Sequence, residues 1–340
     1  MSSRNSTGRS YEDLLGYLQN NLPIYTKEWG WIIRSTGVVK SHNIDGLGSP
    51  GDDDIDAFIS YLLFCLVNKR VLKVAFKPLY LSPSSIAVFK QCRQRYKFLH
   101  IDKLGDKYGK PRPYFTMANH IHATLKDFLS LQPLGLRTAH TAEQLLRKNW
   151  QRYRLGFRDK DDEVRWAEKA LGQLRAFVNA QDVAAQPIMM EEMIEAEIST
   201  GLVLRGRVDR VDKEPDAVLH IIDYKTGNRA GRMDWEQLEL HALILSKRLP
   251  WPVRKISYLY LGDATMKSTA ISDDDLRQIH WGVLTIAKKI RQEKQFYPSS
   301  GPWCRSCDFI SICPDKADVE AVSNISDQFE FWDDSNEDWG

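Results

Sequence analysis

Residues 202–227 read LVLRGRVDRVDKEPDAVLHIIDYKTG, and this stretch decides the fold class. Apolar and polar residues alternate through LVLRGRVDRVD at 202–212 and again through AVLHIIDYKTG at 217–227. The short, turn-forming link KEPD between them predicts an antiparallel hairpin. Side chains alternate across a strand, so Asp223 and Lys225 share one face, with Leu219 and Ile221 behind them. Asp209, expected at the end of the partner strand, can lie close to Asp223. Two carboxylates at strand ends form an oxygen-rich site suited to Mg²⁺ or Mn²⁺. A lysine two residues beyond one of them can touch a cation-bound water or the charge developing on a phosphate, a combination that fits metal-assisted phosphodiester hydrolysis. An exposed Asp–Lys pair of little consequence is the bland alternative. Its position after LHII, a run suited to a buried strand, argues for a functional role.

Helical patterns flank this hairpin on both sides. Ser82 and Pro83 form a helix start, as N-cap and first helical residue. Met117, Ile121, Leu125, Phe128 and Leu129 give a helix over about 116–131 its apolar face. Further helices are expected at 141–155, 161–181, 234–247 and 274–292, with a strand at 255–261. Strands flanked by helices indicate an α/β core. Residues 1–80 form a separate block with helices expected at 10–20 and 55–68; Asp52, Asp53 and Asp54 suit the N-terminal cap of the second.

The chain has 340 residues, 43% of them hydrophobic, enough for one large or two ordinary domains. Its formal charge of +2 is unevenly spread. Residues 315–340 hold nine acidic side chains and one lysine, which leaves a strongly basic body before an acidic tail. That balance suits a polyanion-binding protein. The tail is expected to be disordered. The longest apolar run, FISYLLFCLV at 58–67, is too short to span a bilayer, and MSSRNSTGRS at the start is no secretory signal, so an intracellular, cytoplasmic protein is expected.

Three of the five cysteines, Cys304, Cys307 and Cys313, lie in WCRSCDFISICP with C-x2-C-x5-C spacing, one thiolate short of a four-coordinate site. Cys65 sits in the apolar run YLLFCLV and reads as a small buried hydrophobe. Cys92 ends the helix SSIAVFKQC and precedes the basic, aromatic RQRYKF. Four cysteines suit zinc and an iron–sulfur cluster alike.

Taken together, GRVDRVD followed by IIDYKTG resembles the active-site hairpin of the PD-(D/E)XK nuclease superfamily, in its RecB-type branch. The resemblance implies a restriction-endonuclease-like core, a mixed central sheet flanked by helices, over residues 81–314. It implies metal-binding roles for Asp209, Asp223 and the backbone carbonyl of Tyr224, and a water-activating or positioning role for Lys225. QLELHALIL resembles the following motif, with Gln237 in the glutamine position and His241 where a tyrosine is usual. NHIHATL offers His122 as the metal-contacting histidine on an earlier helix, in preference to His120, with Asn119 in place of the usual glycine. SPSSIAVFKQCRQRYKF and CRSCDFISICP resemble the two halves of the four-cysteine motif of AddB-type and CRISPR-associated RecB-like exonucleases. On that resemblance Cys92, Cys304, Cys307 and Cys313 hold a 4Fe–4S cluster, in preference to zinc, as a clasp between the start and end of the nuclease domain.

The implied function is a Mg²⁺- or Mn²⁺-dependent deoxyribonuclease, an exonuclease rather than an endonuclease, acting on single-stranded DNA or duplex ends in repair, CRISPR or anti-phage defence. Arg93, Arg95, Lys97, Arg205, Arg207, Arg210, Lys225, Arg229 and Arg232 are candidate phosphate contacts, and Tyr96, Phe98 and Tyr224 candidates for stacking on bases. An iron–sulfur DNA-binding or scaffolding subunit with lost catalysis is the alternative. A helicase or defence component could dock on the N-terminal block or the acidic tail. No nucleotide-binding P-loop occurs.

Overall fold

The structure is a computed structural model and describes residues 78–227 and 234–316. The expectations for helices at 10–20 and 55–68, Asp52–Asp54, Cys65, Arg229, Arg232 and the tail beyond residue 316 lie outside the described residues.

Strand β1 (Leu79–Leu81) leads into helix α1 (Pro83–Gln91). Ser82 caps that helix as expected: its hydroxyl accepts the Ser85 N–H at 3.1 Å, and the Ser85 hydroxyl accepts the Ser82 N–H at 2.8 Å. Cys92 breaks the helix in an extended conformation, φ −153°. The short helix α2 (Arg93–Tyr96) and a π-helical turn (Lys97–Ile101) follow, then α3 (Gly105–Tyr108). Three long helices, α4 (Pro113–Leu129), α5 (Ala139–Trp150) and α6 (Lys160–Ala180), form one layer. Strands β2 (Met189–Ser199), β3 (Leu202–Lys213) and β4 (Leu219–Lys225) precede helix α7 (Glu236–Arg248). Strands β5 (Val253–Tyr260) and β6 (Thr265–Ala270), then helix α8 (Asp273–Gln292), lead to the cysteine segment.

The sheet is mixed. β1 runs parallel to the start of β3, β2 antiparallel along its other edge, and β4 antiparallel to its end; β4 and β5 are parallel, β5 and β6 antiparallel. β4 is buried along its whole length, and alternation splits it between two cores. Leu219 and Ile221 join α1, α7 and α8 on one face, while Ile222 and Tyr224 join α4, α5 and α6 on the other. An α/β sheet covered by helices on both faces is the expected architecture.

The hairpin differs from expectation in one respect that matters. Asp209 does not end its strand; it lies inside β3, and what ends there is the pairing with β4. The β3–β4 ladder starts at Arg210↔Ile222 and runs only to Lys213↔Leu219. On the same edge, β1 covers β3 only as far as Leu204. Residues 205–209 therefore pair with neither β1 nor β4, and the sheet carries a gap there. Sequence alternation did not reveal three strands. β1 is three residues long, β6 is a polar edge strand, and β2 is rich in glutamate, a residue depleted in strands.

Candidate active site

The gap in the sheet opens into a cleft of about 480 Å³. Its walls come from α4 on one side and from the start of α7 on the other, with β3 as floor and the end of β4 as its back. Asp209, Asp223, Lys225, Gln237 and His122, far apart in sequence, all line it. One carboxylate also repairs the broken ladder: Asp209 Oδ2 accepts the Tyr224 N–H at 2.8 Å, in place of a strand carbonyl.

Two connected groups make up the site. In the first, Lys225 Nζ lies 3.2 Å from Asp223 Oδ2 and donates to Gln237 Oε1 at 3.2 Å, while Gln237 Nε2 donates to Asp223 Oδ1 at 3.0 Å. The lysine ammonium also sits 5.0 Å from the centroid of the Tyr258 ring. All these contacts fix Lys225 and Asp223 in single orientations at the mouth of a fully buried strand. In the second group, His122 Nδ1 lies 2.8 Å from Glu191 Oε1 and 3.3 Å from Asp209 Oδ1. The three ligand atoms of His122, Glu191 and Asp209 fall within 4.8 Å of one another. A nitrogen and two carboxylate oxygens this close fit a divalent cation, and the hydrogen-bonded imidazole holds the oxygens where a cation would draw them.

The electrostatics follow from burial and crowding. Burial alone would lower the His122 imidazole, but the carboxylates of Asp209 and Glu191 outweigh it and raise it well above its ordinary value. Burial pushes the Asp223 carboxyl up to about 7; Lys225 opposes the shift and the negative Asp209 adds to it. Asp209 is held below the usual carboxylate range because His122, the Tyr224 N–H and Lys225 overcome its burial. The two aspartates thus differ in proton affinity, the pattern of carboxylates that share a site.

Glu191 escaped the sequence reading. It lies in β2 with φ +47°, between the pairs Met190↔Arg210 and Glu192↔Val208, and so falls across from Asp209. The available signal was the alternation of Ile194, Ala196 and Ile198 with Glu195 and Glu197, which marks a strand beside β3. His241 faces the cleft, buried, with a ring depressed to about 4, chiefly by burial. A Cβ on Gly206 would lie 2.6 Å from His241 Nε2, so only glycine there leaves the imidazole its place. His120 does not reach the cleft: its Nε2 is 3.0 Å from the Tyr153 carbonyl and its ring packs on Trp150 and Tyr153.

Several of the expected nucleic-acid contacts have partners within the domain. Tyr96 is buried between Phe89 and Phe296, Phe98 packs on Phe309, and Tyr224 packs on His122 and Phe177, so none offers a face to a base. Arg210 is buried and grips Asp212 with two hydrogen bonds of 2.8 and 2.6 Å. Arg93 pairs with Glu293 at 2.7 Å, Lys97 with Asp102 at 2.8 Å, and Arg95 donates to Gln91 at 3.0 Å. Arg205 and Arg207 line the cleft itself.

The cysteine segment folds back onto the start of the domain. Phe309 packs against Phe98 at 5.4 Å and Tyr108 at 6.1 Å, and Arg112 bonds the Ser306 carbonyl and Asp308. Burial raises the Cys307 and Cys313 thiols, and in both cases negative charge on Cys92 and Cys304 adds to the rise. Cys92 and Cys304 therefore lie near Cys307 and Cys313, and four gathered thiols are a donor set that suits a metal centre.

Comparison with known proteins agrees with this geometry. A family model for the PD-(D/E)XK nuclease superfamily matches residues 80–314. The chain belongs to that superfamily. Nucleases of this superfamily use divalent metals, and the His122, Glu191 and Asp209 group is a fitting place for one. Among solved structures, this PD-(D/E)XK nuclease is similar to the protein designated SSO0001, with 14% identity over 76% of this chain and 97% of that one, TM-score 0.34. It is also similar to a protein from Eubacterium rectale provisionally assigned as an exonuclease, with 12% identity over 70% and 90% of the two chains, TM-score 0.40. No curated protein matches the chain. Among the described residues, no helix is long and apolar enough to cross a membrane.

Proposed function

We propose that this PD-(D/E)XK protein is a RecB-like deoxyribonuclease that hydrolyses phosphodiester bonds of single-stranded DNA or duplex ends, as an exonuclease in repair or defence. The observation that carries the catalytic part is the locked Asp223–Lys225–Gln237 set beside the His122–Glu191–Asp209 group, both opening on one cleft. His122, Glu191, Asp209, Asp223 and the Tyr224 carbonyl would hold Mg²⁺ or Mn²⁺. Such a cation supplies an activated water and neutralises charge on the phosphate. The protein's own groups do the rest. Gln237 holds Asp223 and Lys225 in register, so that the Lys225 ammonium can donate a hydrogen bond to the attacking water or to a phosphate oxygen. Glu191 and Asp209 hold His122 in a single orientation. The low-dielectric walls strengthen each of these interactions.

Cys92, Cys304, Cys307 and Cys313 would hold a 4Fe–4S cluster. Four cysteines suit zinc as well, and it is the likeness of both cysteine segments to the iron–sulfur motif that favours the cluster. A bond network joining residues 92 and 304 closes most of the domain into one loop and so stabilises it. The N-terminal 77 residues, beyond this nuclease domain, are proposed to dock a protein partner.

The test is cleavage of end-labelled single-stranded DNA with Mn²⁺ by anaerobically purified protein. Wild type should cut it and Asp223→Ala should not; equal activity in both would overturn the assignment. A brown solution whose iron is lost in Cys92→Ser supports the cluster, whereas a colourless protein with stoichiometric zinc would remove it.

A further inference from the structure

Along β3 the side chains of Arg205, Arg207 and Asp209 line the cleft from one face of the strand, while Gly206, also at the cleft, alternates with them between the buried Leu204 and Val208. Two strand residues span about 6.8 Å, comparable with the separation of neighbouring phosphates along an extended nucleic-acid strand. The row therefore places one cation-site ligand and then two arginines whose backbone positions follow at phosphate spacing. This row coincides with the gap in the sheet, where neither β1 nor β4 covers residues 205–209.

Each guanidinium is held in place yet open to solvent. Arg207 Nε lies 3.2 Å from Glu191 Oε2 while its side chain stays 50% exposed. Arg205 rests over the ring of Tyr80, 5.3 Å from its centroid, and Tyr80 is itself 47% exposed. Beside Arg207 on the paired strand stands Met193, 60% exposed, an unusual place for a large apolar side chain. Fixed guanidiniums with free donor edges suit phosphates, and the apolar flank suits the bases between them.

From this row we infer that a single nucleic-acid strand runs along β3, with the phosphate next to the cleaved one on Arg207, the following one on Arg205, and a base against Met193. This track rests on the nuclease reading of the same cleft and adds to it the path of the substrate.

The experiment separates the track from the chemistry. Binding of a fluorescent 12-mer oligothymidylate is measured by anisotropy without divalent cations, over a salt series. For single strands the slope of log K against log salt falls by about 0.7 for each phosphate that is no longer neutralised. Arg205→Ala and Arg207→Ala should each flatten the slope by about 0.7, and the double variant by about 1.4. Arg254→Ala is the control: its side chain pairs with Asp273 at 2.8 Å, outside the cleft. Unchanged slopes in both cleft variants, or an equal flattening in Arg254→Ala, would overturn the track. Salt slopes as expected in a protein that cuts no DNA would keep the track and overturn only the proposed catalysis. In a protein that does cut, a neutral methylphosphonate one linkage from the cleaved bond should weaken binding by wild type but not by Arg207→Ala. Two linkages away, it should spare Arg205→Ala in the same manner. Both variants responding to the same linkage would refute the order.

Discussion

Asp223→Asn provides a quantitative test of the site. In the metal-free protein Asp223 titrates at about 7 instead of 3.8, because it is buried, 4% exposed, beside the Asp209 carboxylate. A group raised in the folded state holds a proton that the unfolded chain has already lost, so the wild type loses stability as pH rises from about 4 to about 7. At about 1.4 kcal/mol per pH unit, the part of this window between pH 5 and 7 amounts to roughly 3 kcal/mol. Asparagine has no proton to lose and removes this slope. Its amide is compared with the neutral, protonated carboxyl of the folded wild type, so the cost of exchanging one for the other, about 1–3 kcal/mol, does not change with pH. Urea unfolding followed by tryptophan fluorescence, with divalent cations withheld, should show the variant gaining about 3 kcal/mol on the wild type between pH 5 and pH 8. Added Mn²⁺ should reverse the order, since only the wild type binds it well; at one hundred times Kd the gain is about 2.7 kcal/mol. A relative change below about 1 kcal/mol between the two pH values, or one in the opposite direction, would refute the account of a carboxyl kept protonated by burial and crowding.

Other outcomes follow from the same geometry. Cation binding must displace protons from His122 and Asp223, both raised in the metal-free site, so Mn²⁺ affinity should increase from pH 6 to pH 8 with net proton release; calorimetry in buffers of different ionisation enthalpy measures it, and zero release would contradict the assignment. Glu191→Gln removes one candidate ligand and the bond to His122 Nδ1, and should weaken Mn²⁺ binding by about 10- to 100-fold with the fold intact by circular dichroism. Gly206→Ala would set a methyl 2.6 Å from His241 Nε2 and should destabilise the domain by about 1–3 kcal/mol, a loss largely recovered in Gly206→Ala/His241→Ala. If the double variant is no more stable than the single one, His241 is not what requires the glycine.

Much of the site was legible because its chemistry is carried by local patterns. The D-x-K triplet after LHII put Asp223 and Lys225 on one face of a buried strand through strand alternation alone, and the Ser82–Pro83 signal set the start of α1. The four cysteines and Gln237 were singled out by spacing and resemblance. Glu191 was invisible for an equally physical reason. Its strand is acidic and half exposed, and its left-handed backbone interrupts the alternation that would have marked it. The aromatics Tyr96, Phe98 and Tyr224 have the composition of a base-stacking surface, yet packing claimed all three for the interior.

The sequence by itself determined the α/β class, the hairpin and the identity of the reactive side chains, since each depends on short-range periodicity and residue chemistry. Tertiary structure alone decided that β1 stops at Leu204 and β4 starts pairing at Arg210. That five-residue gap turns a buried sheet into a cleft, lets helices from opposite faces meet in one site, and leaves Arg205 and Arg207 open beside it. Strand pairing is a contact between distant segments, and where it ceases is set by the competition of neighbouring strands for one edge, which no local pattern records.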